Sequence, residues 1–206
     1  MLGGGNFTTQ NKKLPGSYIN FVNASKVGAT VGERGIAAIA MELDWGKDGE
    51  IMTITQSDFN KNSLSLLGYD YGNDKLKGLR DLFINIRTLY LYRLNSGTKA
   101  SCTYATAKCS GVRGNDLKIS IQTNIDDEDK YDVSTILGTK EIDKQTVTQA
   151  SELIDNDFVE FKKEATLTVT ASTPLTGGSN AESVRGQNHQ TFLDKLEAYS
   201  FNALGC

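Results

Sequence analysis

The 206-residue chain carries 38% apolar residues, 25 acidic against 22 Lys and Arg side chains, and a formal charge of -3. That balance argues against a nucleic-acid surface dominated by basic residues. It is long enough for one large or two small domains, and it has no apolar run of membrane-spanning length and no secretory leader pattern at Met1–Lys13. The three cysteines, Cys102, Cys109 and Cys206, have no Cys-x-x-Cys spacing. They read as buried free thiols rather than a disulfide framework or zinc site.

Residues 1–17 are polar and glycine-rich, without periodicity. On composition they read as a disordered terminus or as an arm that adds a strand to a neighbouring subunit. Tyr18–Val22 reads as a short strand. Gly35–Leu43 is nearly continuous apolar sequence built from small residues, as suits a central strand covered on both faces. Asp44–Gly49 turns the chain into a strand at Ile51–Thr55. Ser57 is the expected N-cap of a helix carrying Leu64 and Leu67 and ending near Gly68. Leu76, Leu79, Leu82, Phe83 and Ile86 trace a second helical face, and Thr88–Leu94 follows as a strand. This order of strand, helix and strand predicts a βαβ-type layer.

From Gly97 the pattern changes to short β-like runs at roughly ten-residue spacing, which predicts a small β-sandwich. The runs are Lys99–Lys108, Leu117–Ile121, Tyr131–Ile136, Lys140–Val147, Phe158–Phe161 and Ala165–Ala171, with a short helix expected at Gln149–Asp155. Pro174 and Gly177-Gly178 mark a turn after the last run. Gln190–Tyr199 reads as an amphipathic helix with Phe192, Leu193, Leu196 and Tyr199 on one face, and Ser200–Leu204 as the start of a buried strand. A helix feeding a strand implies further sheet elements, so the chain is expected to end in mid-domain. The predicted fold is mixed α/β and α+β. An arm (1–20) precedes the first part of an α/β domain (21–97). An inserted sandwich (98–172) separates it from the start of the second part (173–206).

Chemical motifs are sparse. His189, the only histidine, sits in a predicted polar loop, and no G-x-S-x-G elbow is present, so a Ser-His triad has no support. The acidic turn Asp126-Asp127-Glu128-Asp129 lacks the glycine of a calcium loop and reads as a solvated hairpin tip. Gly111-Val112-Arg113-Gly114-Asn115 lacks the Gly-Lys-Ser/Thr ending of a phosphate loop and reads as a tight turn. Glu42, Asp44, Asp48 and Glu50 surround Trp45. A glycosidase needs two carboxylates facing across a sugar, and a solvent-facing loop is the preferred reading. No cofactor or metal site is expected.

Several stretches, in order, resemble contractile phage tail sheath proteins of the Gram-positive prophage and R-type bacteriocin type. They are Phe7–Lys12, Leu14–Phe21, Glu33–Ile36, Met41–Gly46, Leu91–Asn95, Gly111–Asp116, Pro174–Gly178, Phe192–Glu197 and Phe201-Asn202. The resemblance implies a non-enzymatic structural subunit with an outer β-sandwich and an α/β part nearer a tail tube. It implies homo-oligomeric rings in a helical polymer, contacts with tube and baseplate proteins, and neither nucleic-acid nor membrane partners. It places the protein in a virion tail or bacteriocin particle assembled in the host cytoplasm. The implied subunit-linking arm contains Phe7, Thr8, Thr9, Gln10, Leu14, Pro15, Tyr18 and Ile19. Sheath subunits of this family are longer, with a C-terminal part that has no counterpart here. The alternatives are a carbohydrate- or receptor-binding sandwich module, resting on Trp45 and the tyrosines, and an α/β hydrolase.

Overall fold

The computed structural model describes residues 35–181 and 183–205. The arm residues Phe7, Thr8, Thr9, Gln10, Leu14, Pro15, Tyr18 and Ile19, the strand expected at Tyr18–Val22, and Cys206 lie outside these described residues. Among the described residues no helix is long and apolar enough to cross a membrane.

A first four-stranded sheet has the order β12-β1-β3-β2, from β1 (Ile36–Met41), β2 (Ile51–Thr55), β3 (Thr88–Arg93) and β12 (Ala203–Gly205). β1 lies between β3 and β12 and runs parallel to both. It is covered on both faces, as its small apolar residues predict. Ala37 joins Leu89 and Leu91 of β3 in the layer under α1 (Gln56–Leu67) and α2 (Lys77–Phe83). Ala38 and Ala40 join Tyr92 under α3 (Gly186–Leu196). Alternate residues of one strand therefore feed two helical layers.

β2 differs from the expected βαβ unit. It pairs antiparallel with β3, from Ile51↔Tyr92 to Thr55↔Thr88. The pair α1–α2 thus connects neighbouring antiparallel strands, and it is β1 and β3 that are parallel. The cap of α1 also differs. Thr55, extended at φ -84° and ψ 162°, accepts from the Asp58 amide, and the Asp58 carboxylate accepts from the Thr55 amide. β2 runs directly into the helix, so its last residue takes the cap ahead of Ser57. α2 is shorter than its apolar pattern, because a 3-10 turn at Asp74–Leu76 supplies the first part of that face.

The chain leaves the first sheet after β3 and builds two further sheets. One has the order β10-β6-β7-β8, from β6 (Leu117–Thr123), β7 (Tyr131–Leu137), β8 (Lys140–Val147) and β10 (Thr170–Pro174). The other has the order β11-β4-β5-β9, from β4 (Gly97–Ser101), β5 (Ala105–Ser110), β9 (Val159–Phe161) and β11 (Ser179–Asn180). Leu117, Ile119, Ile121, Val133, Ala105, Ala107 and Val159 fill the space between them. This is the inserted sandwich. The run at 99–108 is broken into β4 and β5, and the helix expected at 149–155 is a 3-10 turn at Ala150–Glu152. Pro174 is the last residue of edge strand β10, where a missing amide is tolerated.

After β11 the chain returns to the first sheet. α3 starts four residues earlier than its hydrophobic pattern and includes His189 in its first turn. Phe192 and Leu196 are buried, whereas Leu193 and Tyr199 are 42% and 37% exposed. β12 then pairs with β1, but Leu204 is 49% exposed, so this strand is not the buried one expected. Replacing Thr55 with Ala removes the reciprocal cap of α1 and is expected to cost about 1 kcal/mol in denaturant unfolding. Ser57→Ala should change stability by no more than a few tenths.

Candidate functional site

The most organised polar site is the junction where the chain crosses between the two parts. β3 ends at Arg93, whose side chain is fully buried. A buried guanidinium needs acceptors on all sides. Its Nη1 donates to the carbonyls of Gly46 at 3.2 Å and Ser110 at 2.9 Å, and to the Ser110 hydroxyl at 3.0 Å. The same nitrogen lies 3.1 Å from Asp48 Oδ1, and Nε donates to Asn95 Oδ1 at 3.4 Å. Burial pulls the Arg93 pKa down and the Asp48 charge pushes it back. Asn95 pairs with Leu43 as a strand residue would, accepting from its amide at 2.8 Å and donating to its carbonyl at 2.9 Å.

The four carboxylates around Trp45 divide into two kinds. Glu42 and Glu50 are exposed, as a solvent-facing loop requires. Asp44 is half-buried and Asp48 stays open to solvent, yet both turn towards junction partners. Asp48 accepts from the Ser110 hydroxyl at 2.6 Å besides its contact with Arg93. Asp44 accepts from Lys75 Nζ, from the Tyr69 hydroxyl at 2.7 Å and from Asn180 Nδ2 at 3.0 Å. Partial burial raises the Asp44 pKa, but these hydrogen bonds outweigh it and hold the carboxyl at about 2. Trp45 itself is 1% exposed, which corrects the loop reading at its centre. Both of these carboxylates are committed to donors, so neither resembles a free glycosidase acid.

The loop Gly111–Asp116 closes the site from the sandwich side. It forms a 3-10 turn at Val112–Asp116, not a phosphate cradle. Gly111 has φ +118°, and a Cβ there would lie 2.1 Å from the Asp44 carbonyl oxygen, so only glycine lets the two backbones meet. Arg113 donates through Nε to the Gly68 carbonyl at 2.8 Å, and its guanidinium lies 4.7 Å from the centre of the Tyr69 ring. Asn180, on the returning strand, accepts from the Val112 amide at 3.2 Å as well as holding Asp44. Entry, exit and turn are thereby fastened to one another.

The other sequence candidates are structural. In the β6–β7 hairpin tip, Asn124 Oδ1 accepts from the amides of Asp126 and Asp127, both at 3.0 Å, which is an Asx-type turn. Among the described residues, no cluster of His, Cys, Asp and Glu is arranged to hold a metal ion. Cys102 and Cys109 are free and half-buried against the sandwich core, and burial pushes the Cys109 thiol pKa up. No motif marks Arg93, Asn95 and Asn180 as a site; the signal the sequence does carry is an Arg-x-Asn at the end of an apolar strand, a place where a buried cation needs a nearby polar cage.

The Asp44 pKa lies below its unfolded value, so its stabilisation is fully present above about pH 4 and is lost as pH falls towards 2. Lys75 is largely exposed, so the contribution is discounted to about 1 kcal/mol. Asp44→Asn should flatten the fall in unfolding free energy between pH 4 and 2 by that amount, measured by denaturant titration at each pH.

Comparison with known proteins gives two family matches that meet at this junction. Residues 34–94 match the tail sheath protein Gp18 domain III N-terminal region, and residues 95–180 match the phage tail sheath protein beta-sandwich domain. The chain is 38% identical over 183 residues to the uncharacterized protein YqbK of Bacillus subtilis. It is 35% identical over 183 residues to the phage-like element PBSX protein XkdK of the same organism. Each match covers 85% of this chain and 38% of the relative, so the chain spans well under half the length of either. Among solved structures, the sheath tail protein of Desulfitobacterium hafniense aligns with a TM-score of 0.76 and 39% identity, covering 92% of this chain and 45% of that one. The sheath tail protein Lin1278 of Listeria innocua aligns with a TM-score of 0.74 and 33% identity, covering 84% and 40%. With its α/β part and its sandwich each matched in order to a sheath domain, the chain belongs to the phage tail sheath protein family.

Proposed function

We propose that the chain acts within a tail-sheath subunit that polymerises helically around a tail tube and contracts to drive the tube through the target cell envelope. The observation that carries this reading is the pair of sheath-domain matches, which abut at 94 and 95, where the chain passes from β3 into the sandwich. The subunit would pack against other copies, the tube protein and the baseplate, in a virion tail or bacteriocin particle assembled in the host cytoplasm. Contraction of such a lattice draws on a free-energy difference between two packings and needs no nucleotide. The alternative of a carbohydrate-binding module loses its central aromatic, because Trp45 is buried.

We divide the chain into a linker arm (1–20), two α/β segments and the sandwich between them. Phe7, Thr8, Thr9, Gln10, Leu14, Pro15, Tyr18 and Ile19 form the arm that adds a strand to a neighbouring copy. A strand-adding arm needs an edge that is open to pairing. The edge strands of the sandwich are blunted. β8 is charged and bulged, β10 is bulged and ends in Pro174, β9 has three residues and β11 has two. β2, with the sequence Ile-Met-Thr-Ile-Thr, has none of these devices, and among the described residues only β3 pairs with it. It supports the reading as an acceptor for a neighbouring arm.

The full-length sheath protein containing this chain is expected to form tubes or ring stacks by negative-stain electron microscopy. Deleting residues 1–20, or placing a charge on the edge with Thr53→Lys, should leave folded subunits that no longer form tubes. Dispersed subunits from the intact protein, even with tube protein added, would count against the sheath polymer. Tubes in all three samples would remove the arm and β2 from its assembly.

A further inference from the structure

An inserted domain joined by two chain crossings ordinarily moves relative to its host. Here the two parts share a core residue. The sandwich core is built from residues between Ala100 and Leu175, with one fully buried addition from outside that span, Trp45. Its ring lies 6.0 Å from the ring of Phe158 in the sandwich. Its Nε1 donates at 3.0 Å to the Ser65 carbonyl in α1 of the α/β part. Trp45 is therefore packed in one part and hydrogen-bonded to the other.

The surroundings fix that placement. Gly68, which ends α1 at φ +78°, lies against Trp45 so closely that a Cβ would come within 2.8 Å of the tryptophan Cβ. Leu64, on the same helix, also packs against the sandwich core. Withdrawing the ring would open a cavity among Phe158 and its neighbours and leave the indole N–H without its acceptor. A large aromatic supplies much of the apolar area in a core of this size.

We infer that Trp45 is a key that locks the sandwich to the α/β part, so that the two unfold as one cooperative unit and the sandwich cannot open on its own. This goes beyond the sheath reading and does not depend on it. Trp45 is the only tryptophan in the chain, so its emission reports on the key directly.

Native-state hydrogen exchange on the full chain tests the inference, with Ile119, Ile121 and Val133 reporting on the sandwich and Leu89 and Leu91 on β3. In the unmodified protein the slowest amides of both sets should share one opening free energy and one denaturant slope. Trp45 emission should shift to the red over the same denaturant range. In Trp45→Ala the two sets should separate, with the sandwich amides losing at least roughly 100-fold in protection relative to those of β3. Trp45→Phe should keep them together. If Trp45→Ala does not fold, Trp45→Leu carries the same comparison. Separate openings in the unmodified protein, or an emission shift that precedes loss of sandwich protection, would overturn the inference. So would a small-residue variant whose two sets still coincide, because the coupling would then lie in other contacts.

Discussion

Arg93 is a full positive charge placed where water does not reach, and the junction is organised around satisfying it. Its guanidinium collects acceptors from four places in the chain: Gly46 and Asp48 in the β1–β2 turn, Ser110 at the end of β5, Asn95 two residues beyond the end of β3, and Asn180 of β11, which accepts from Nη2 at 3.5 Å. Withdrawing one partner of a fully buried pair costs about 3–5 kcal/mol, and the solvent exposure of Asp48 lowers its share here to about 1 kcal/mol. Conformations that separate the turn from β5 are therefore unfavourable. The Asp44 cluster repeats the arrangement nearer the surface, where Lys75 and Tyr69 from the α/β part and Asn180 from the sandwich exit meet on one carboxylate.

These contacts give the inserted sandwich a defined seat. The crossing segment at Asn95 and the return at Asn180 are the only covalent links among the described residues, and each carries a side chain that bonds across the junction, Asn95 to Leu43 and Asn180 to Asp44. Asn188, in the first turn of α3, donates to the Leu94 carbonyl at 3.1 Å and so ties the returning helix to the outgoing strand. For a subunit in a tail sheath, a fixed seat means that force applied to the sandwich reaches the α/β sheet through packed side chains, not through a slack linker. The function proposed above needs that property, because a contracting lattice has to convert motion at one surface of the subunit into motion at another.

Much of this architecture is legible in the sequence. Small apolar residues from Gly35 to Leu43 identify a strand covered on both faces, and the alternation at Leu117, Ile119 and Ile121 identifies a sandwich strand. The change of pattern near Gly97 identifies the insertion. What escaped is what tertiary contact decides. The direction of β2 depends on its pairing with β3, which local periodicity does not encode. Thr55 takes the cap because a strand abuts the helix without a loop. Leu193 shares the helical period of Phe192 and Leu196 yet remains partly exposed, because α3 buries only part of its apolar face, and Tyr199 lies beyond the end of that helix at Leu196. Trp45 and its carboxylates resemble a sugar-binding loop in one dimension. Only the fold shows that the ring points into the sandwich and that Asp44 and Asp48 are already engaged.

Arg93 and Asp48 act together to hold the turn against the sandwich. The direct measurement is a double-mutant cycle in denaturant unfolding, comparing Arg93→Met, Asp48→Asn and the double variant with the unmodified chain. The expected coupling is at least about 1 kcal/mol, allowing for the partial exposure of Asp48. Single effects that simply add, within about 0.3–0.5 kcal/mol, would contradict it and assign the junction's stability to packing alone.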